Sequence, residues 1–221
     1  MKSEIFYKGN YKTIEDKIKT FLNNKSKMEL GIPESHRTTG DKIPIVLSTE
    51  IEKILSPYVS TFSLSTSSKS IANYEFIDLE GFKYFINVIT HRKETLFNMP
   101  NITSVDRLKR LYANDKNIFV VLLIDYSISK PNKNILNVRF IPIEFYSWEC
   151  LTLGALGSGQ IQIKRASHIV EIVENSRKEW MLEFCDKLDE FYVNEADKTV
   201  KRLKNIITLR GDWKKRKDTW K

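Results

Sequence analysis

The chain has 221 residues, with 36 Lys and Arg against 28 Asp and Glu for a net charge of +8, and it is 41% hydrophobic and 29% charged. This composition excludes a disordered tail protein, and the length suits one globular domain, residues 1–221, with a basic C-terminal tail at about 201–221. The longest apolar run, 118–124, is cut by Asp125 and falls short of the roughly 18 residues a membrane span needs, so no membrane partner is expected. The opening Met1-Lys2-Ser3-Glu4-Ile5-Phe6 has no apolar stretch of the signal-peptide kind, which makes the expected location cytoplasmic. Cys150 and Cys185 lack metal-ligand spacing and read as small buried hydrophobes.

Taken in chain order, Ile14, Ile18, Phe21 and Leu22 recur at helical spacing and predict a helix over 11–22. Residues 25–42, polar and broken by Gly31, Pro33 and Gly40, read as a loop. Ile51, Ile54 and Leu55, with Ser48 or Thr49 as cap, predict a second helix that ends before Pro57 and carries Glu52. The Ser/Thr-rich stretch 60–70 reads as a surface loop. Residues 74–79 and 83–90 are β-rich runs on either side of Glu80-Gly81-Phe82 and predict a hairpin. Ile102, Val105, Leu108, Leu111 and Tyr112 predict a helix over 102–113. The run 118–124 suits a strand buried on both faces, and 137–145 a strand returning through a turn at 130–134. Three of the chain's eight glycines crowd into 153–160, ahead of a short strand over 160–163, and a helix runs from about Ser176 through Val193. The order predicts an α/β fold, a mixed sheet flanked by helices.

Three carboxylates invite a metal reading: Glu52 on a helix, and Glu75 and Asp78 on the first strand of the hairpin, with Asn87 on the second strand roughly opposite Glu75. Oxygen donors from a helix and two paired strands suit Mg²⁺, which keeps waters for a phosphate substrate. Against this, strand alternation puts Asp78 on the face opposite Glu75, which is the arrangement of ordinary surface carboxylates. His91 shares the Asn87 face, and Arg92 and Lys93 add cations at the strand end. The glycine-rich segment matches neither a P-loop nor a dinucleotide fingerprint. Its tip, Gly157-Ser158-Gly159-Gln160, has the make-up of a loop that enters a DNA major groove, where Gln pairs with adenine; a tight β-turn is the plainer alternative. Over 201–221, nine basic residues stand against Asp212 and Asp218, a local balance of +7 with Trp213 and Trp220 interleaved, and this points to a polyanionic partner.

Together these segments resemble the blunt-cutting type II restriction endonucleases of the PD-(D/E)XK superfamily, the EcoRV and HincII group. The resemblance spans about 44–200. It rests on the Glu52 helix, the hairpin from Tyr74-Glu75-Phe76 through Ile86-Asn87-Val88-Ile89-Thr90, Pro100-Asn101-Ile102-Thr103-Ser104 after it, the Gly157-Ser158-Gly159-Gln160 loop and the Gln160-Ile161-Gln162-Ile163 strand. It implies a restriction-endonuclease-like fold and a homodimer on double-stranded DNA. The implied activity is Mg²⁺-dependent phosphodiester hydrolysis giving blunt ends at a palindrome, A/T-rich if Gln160 reads adenine. The catalytic residues would be Glu75, Asn87, His91 and Glu52, with Glu75, Asp78 and Asn87 holding the metal. DNA contacts would come from Gly157, Ser158, Gly159, Gln160 and Gln162, and from Lys69, Ser70 and Asn73 nearer the minor groove.

The family pattern places Asp or Glu, any residue, then Lys on the second strand, where this chain has Asn87-Val88-Ile89. Asn offers a metal one uncharged oxygen, and Ile cannot polarise water. Either another cation such as His91 or Lys93 supplies the missing charge in an active nuclease, or the protein is a pseudonuclease that binds DNA without cutting it. A structured-RNA binder is a third reading, resting on the basic tail alone.

Overall fold

The computed structural model describes residues 3–27, 29–30, 36–64, 71–95, 100–128, 133–164 and 176–217, without the side chains of 36–41 and 133. In chain order the elements are α1 (Glu4–Tyr7), α2 (Asn10–Asn23), α3 (His36–Leu55), β1 (Val59–Leu64), β2 (Tyr74–Asp78), β3 (Lys83–Arg92), β4 (Asn101–Ser104), α4 (Val105–Leu111), β5 (Asn117–Ile128), β6 (Lys133–Pro142), a 3₁₀ turn (Ile143–Phe145), β7 (Leu151–Gly154), β8 (Gln160–Ile163) and α5 (Arg177–Lys215). They belong to two compact units, 1–175 and 176–221.

The apolar run 118–124 forms the heart of β5, buried on both faces, and the first unit is assembled around it. The main sheet has the order β1-β2-β3-β5-β6; β3 and β5 run parallel and the other neighbours antiparallel. A smaller antiparallel sheet has the order β4-β8-β7. Strand alternation sends Tyr74, Phe76, Tyr84, Ile86 and Phe140 to one face of the main sheet. The Phe6 ring of α1 packs there against Tyr84 and Phe140, and the Tyr74 hydroxyl donates to the Pro44 carbonyl of α3. The other face carries Phe85, Asn87, Ile89 and His91 and meets β4, where Asn87 Nδ2 donates to the Ile102 carbonyl at 2.7 Å. The predicted mixed sheet flanked by helices is thus the observed architecture.

The free edge of β6 is closed by side chains of α2. Glu15 accepts from the Phe140 N–H at 2.7 Å, Asn23 accepts from the Ile135 N–H at 2.9 Å, and Lys19 donates to the Leu136 carbonyl at 2.8 Å. Backbone groups that would otherwise offer an edge for strand addition are satisfied in this way.

Several predicted elements shift. The helix expected from Ser48 begins at His36, so its early turns take in part of the stretch read as a loop over 25–42; Pro44 lies inside it. Ile43 and Leu47 are buried on that same helix, and their packing outweighs the polar composition around them. The Ser/Thr loop over 60–70 contributes strand β1 through Leu64, because pairing with β2 rather than core burial holds it; 65–70, with Lys69 and Ser70, lie outside the described residues. The helix expected over 102–113 divides: Asn101–Ser104 is strand β4, and Ser104 caps α4 by accepting from the Arg107 N–H at 3.3 Å. The strand expected over 137–145 begins at Lys133, taking in the last two residues of the turn expected over 130–134, and ends at Pro142, while 130–132 lie outside the described residues.

In the second unit, the helix expected to end at Val193 continues to Lys215. It starts with a reciprocal capping box between Ser176 and Glu179, whose hydrogen bonds hold the Glu179 carboxyl below the usual carboxylate range.

Candidate nucleic-acid interface

The hairpin that carries the expected metal ligands is built around Asp78. Its Oδ1 accepts from the N–H groups of Glu80 at 2.9 Å and Phe82 at 2.8 Å, and its Oδ2 accepts from the Tyr84 hydroxyl at 2.7 Å. Gly81, at φ 83°, completes the turn in a region that favours glycine. Asp78 is buried on the Tyr84 face, opposite Glu75, with its oxygens committed to the fold.

Glu75 lies on the other face, and its carboxylate is 2.8 Å from Lys83 Nζ. The strand register pairs Glu75 with Phe85, and Tyr74 with Ile86, so Asn87 is displaced from Glu75 along the hairpin rather than opposite it. Beside Asn87 stands Asn73, whose Oδ1 accepts from the Val88 N–H at 2.7 Å and extends the β2–β3 pairing by a side chain. Ile89 is buried on the Asn87 face. His91 is four residues beyond Asn87, about 13 Å along the strand. It is buried, with Nδ1 3.1 Å from Asp125 Oδ1 on β5, and among the described residues no hydrogen-bond partner reaches its Nε2. Glu52 is exposed on α3, the helix bonded to the Tyr74 face.

The three donors proposed for Mg²⁺ do not meet at one point: Glu75, Asp78 and Asn87 stand at three levels of the hairpin, Asp78 on the face opposite the other two, where it accepts three fold hydrogen bonds. Among the described residues no group of three His, Cys, Asp or Glu side chains comes together in a metal-holding arrangement. Mg²⁺ takes one or two carboxylates and fills the rest of its octahedron with water, so Glu75 and Asn87, which share a face, are the two of these residues that could hold it, while Asp78 serves the fold.

What the structure does bring to Asn87 is a polar cavity of about 300 Å³. It is lined by Ile71, Asn87, Asn101–Ser104, Arg107 and Gln160, so β3, β4, α4 and β8 each supply part of the wall. Thr103 is buried, and among the described residues its hydroxyl has no hydrogen-bond partner. Among the described residues the lining holds amide, hydroxyl and guanidinium groups and no carboxylate. Such a set donates to phosphate and can both donate to and accept from base edges.

The glycine-rich loop connects β7 to β8 at the rim of this cavity. Gly157 at φ 61° and Gly159 at φ 112° make the reversal, and residues 155–158 are exposed. The loop is anchored to α4: the Val105 N–H donates to the Gly159 carbonyl at 3.1 Å, and Ser158 bonds Asp106. Gln160 lines the cavity, whereas Gln162 Nε2 donates to Asn101 Oδ1 at 2.5 Å. Gly154 permits that placement, since a Cβ there would lie 2.6 Å from Gln162 Oε1.

Of the residues singled out in the sequence, Asn87 and Gln160 come together at the cavity. Gly157, Ser158, Gly159, Gln162 and Asn73 surround it as scaffold, and Glu52, Asp78 and His91 stand apart from it. Arg107, Ser104 and Thr103 were missed because 102–113 reads as one helix; Ser104 as an N-cap, with Asp106 in the first turn, was the available signal. No family model matches the chain, and no curated protein matches it either.

Proposed function

We propose that this protein binds double-stranded DNA sequence-specifically through the Asn87–Gln160 cavity and the adjoining 155–160 loop, without metal-dependent cleavage at the hairpin. The observation that carries the reading is the convergence of Asn87, Arg107 and Gln160 on one carboxylate-free cavity beside an exposed, glycine-shaped loop. The excess positive charge of the chain, +8, supplies the sequence-independent attraction to phosphate. Gln160 offers the donor–acceptor pair that matches adenine in the major groove, and Arg107 a fork for phosphate or guanine.

One observation favours a second reading, a Mg²⁺-dependent nuclease: Glu75 and Lys83, 2.8 Å apart, lie on the same sheet face as Asn87 and would supply a carboxylate and a cation there. A single experiment separates the two. Long duplex DNA of known sequence is incubated with the protein in Mg²⁺ and, separately, in Ca²⁺, and the products are resolved on gels and end-sequenced. Intact DNA in both, with a salt-sensitive shift on a subset of sequences that survives chelation, is the expected result. Discrete Mg²⁺-dependent fragments abolished by Glu75→Ala would establish the nuclease, and no binding to any duplex would reject both readings. RNA included as competitor tests the remaining alternative, since preferential loss of the DNA shift to RNA would assign the basic charge to RNA.

A further inference from the structure

Helix α5 carries an apolar seam that, among the described residues, is exposed over much of its length. Val200, Leu203, Ile206 and Ile207 are 52–63% exposed, as is Val193 at 60%. Val193, Ala196, Val200, Leu203 and Ile207 alternate at intervals of three and four, the spacing of a helix–helix seam, with β-branched residues at one position and Ala or Leu at the other. Phosphate chemistry cannot use such a stripe, and a second helix can.

The charges along α5 select the partner. Residues 177–197 hold seven acidic groups against three basic, a net of −4, whereas 198–215 hold seven basic groups against Asp212, a net of +6. A parallel copy would set like charges together over the whole length; an antiparallel copy centred on the seam sets 188–197, at a net of −4, against 206–215, at a net of +2. We infer that α5 pairs antiparallel with α5 of a second copy of this chain, making a two-fold homodimer whose core is the Ala196–Ile207 seam. In the register that seats Val200 on the partner's Leu203, Ala196 meets the partner's Ile207, a small residue against a large one. The flanking position then sets Asp197 beside the partner's Lys204, and the symmetry repeats the pair. The inference stands on α5 alone and does not depend on the DNA-binding reading.

The test uses the full chain without DNA, in low salt. Sedimentation equilibrium up to about 100 µM should give a dimer, and Leu203→Glu should weaken it by roughly 100-fold, as expected for losing two buried leucines. Because Leu203 is exposed, circular dichroism and thermal unfolding of the variant monitor the fold independently of association. Asp197→Lys should weaken the dimer by roughly threefold, and adding Lys204→Asp to the same chain should restore it. Orientation is read from a spin label on the exposed native Cys185 in a Cys150→Ser chain. At 1.5 Å rise per residue, antiparallel pairing in this register puts the two labels about 50 Å apart and parallel pairing under about 20 Å. A monomer at all concentrations, a short label distance, or an unaffected dimer in Leu203→Glu would each overturn the inference.

Discussion

The Tyr84 hydroxyl donates to Asp78 Oδ2 at 2.7 Å while the other Asp78 oxygen closes the turn onto Glu80 and Phe82, so one buried carboxylate fixes both the hairpin's turn and its first cross-strand contact. Its removal strands two N–H groups and leaves the buried Tyr84 phenol with Ser3 alone. We expect Asp78→Ala to cost about 2–4 kcal/mol of stability, measured by urea unfolding, with Asp78→Asn losing less because one oxygen remains. The same measurement in Mg²⁺ should give an unchanged difference between wild type and variant, as befits a carboxylate that serves the fold.

Glu15 supplies a pH dependence. Burial pushes its carboxyl up to about 7, against the lowering effects of the Phe140 N–H and the Arg139 charge, with Asp16 raising and Lys12 lowering it further. The folded form holds a proton that the unfolded chain releases at ordinary carboxylate pH. Stability therefore has its full Glu15 contribution below about pH 4.5 and loses it progressively as pH rises toward about 7. Glu15→Gln keeps an acceptor for the Phe140 N–H and should flatten this part of the profile. The check is the difference in melting temperature between the two proteins at pH 5 and pH 8, which should favour the variant at the higher pH.

Gly154→Ala probes the loop scaffold. The added methyl would displace Gln162 from its bond to Asn101, and because the obstructing atom ends a flexible side chain, the expected stability loss is under about 1 kcal/mol. Affinity for cognate duplex should fall more than stability does. Paired chemical denaturation and DNA titration measure the two quantities on the same preparation.

Arg107 and Gln160 should separate by the kind of contact each makes with DNA. Gln160→Ala should cost about 1–3 kcal/mol on cognate sites and relax the preference at one base pair while leaving non-specific binding unchanged. Arg107→Ala, if its partner is a phosphate, should weaken all sequences alike and lower the salt-dependence slope by about one. Titrations over a series of salt concentrations and single-base-pair variants provide the readout.

The hairpin, the central strand and α2 were legible in the sequence because each depends on local chemistry. A turn at Gly81, a β-branched run and a 3.6-residue apolar period specify them with little help from the rest of the chain. The boundary at Ser104 was hidden because Ile102 continues the helical spacing of Val105 and Leu108, while only β8, about 55 residues on, can make 101–104 a strand. Distant pairing of that kind leaves no trace in local periodicity.

The candidate site divides along the same line. Residue types and alternation determined that Glu75 and Asp78 face opposite ways, and that Asn87, Ile89 and His91 share a face. Tertiary structure alone decided which polar groups meet: the β2–β3 register moved Glu75 away from Asn87, Asp125 took His91, and the β4–β8 pairing carried Gln160 to Asn87. The reason is physical, since alternation is a property of one strand, whereas register, and with it every contact between strands, is fixed by the burial of both faces of the sheet.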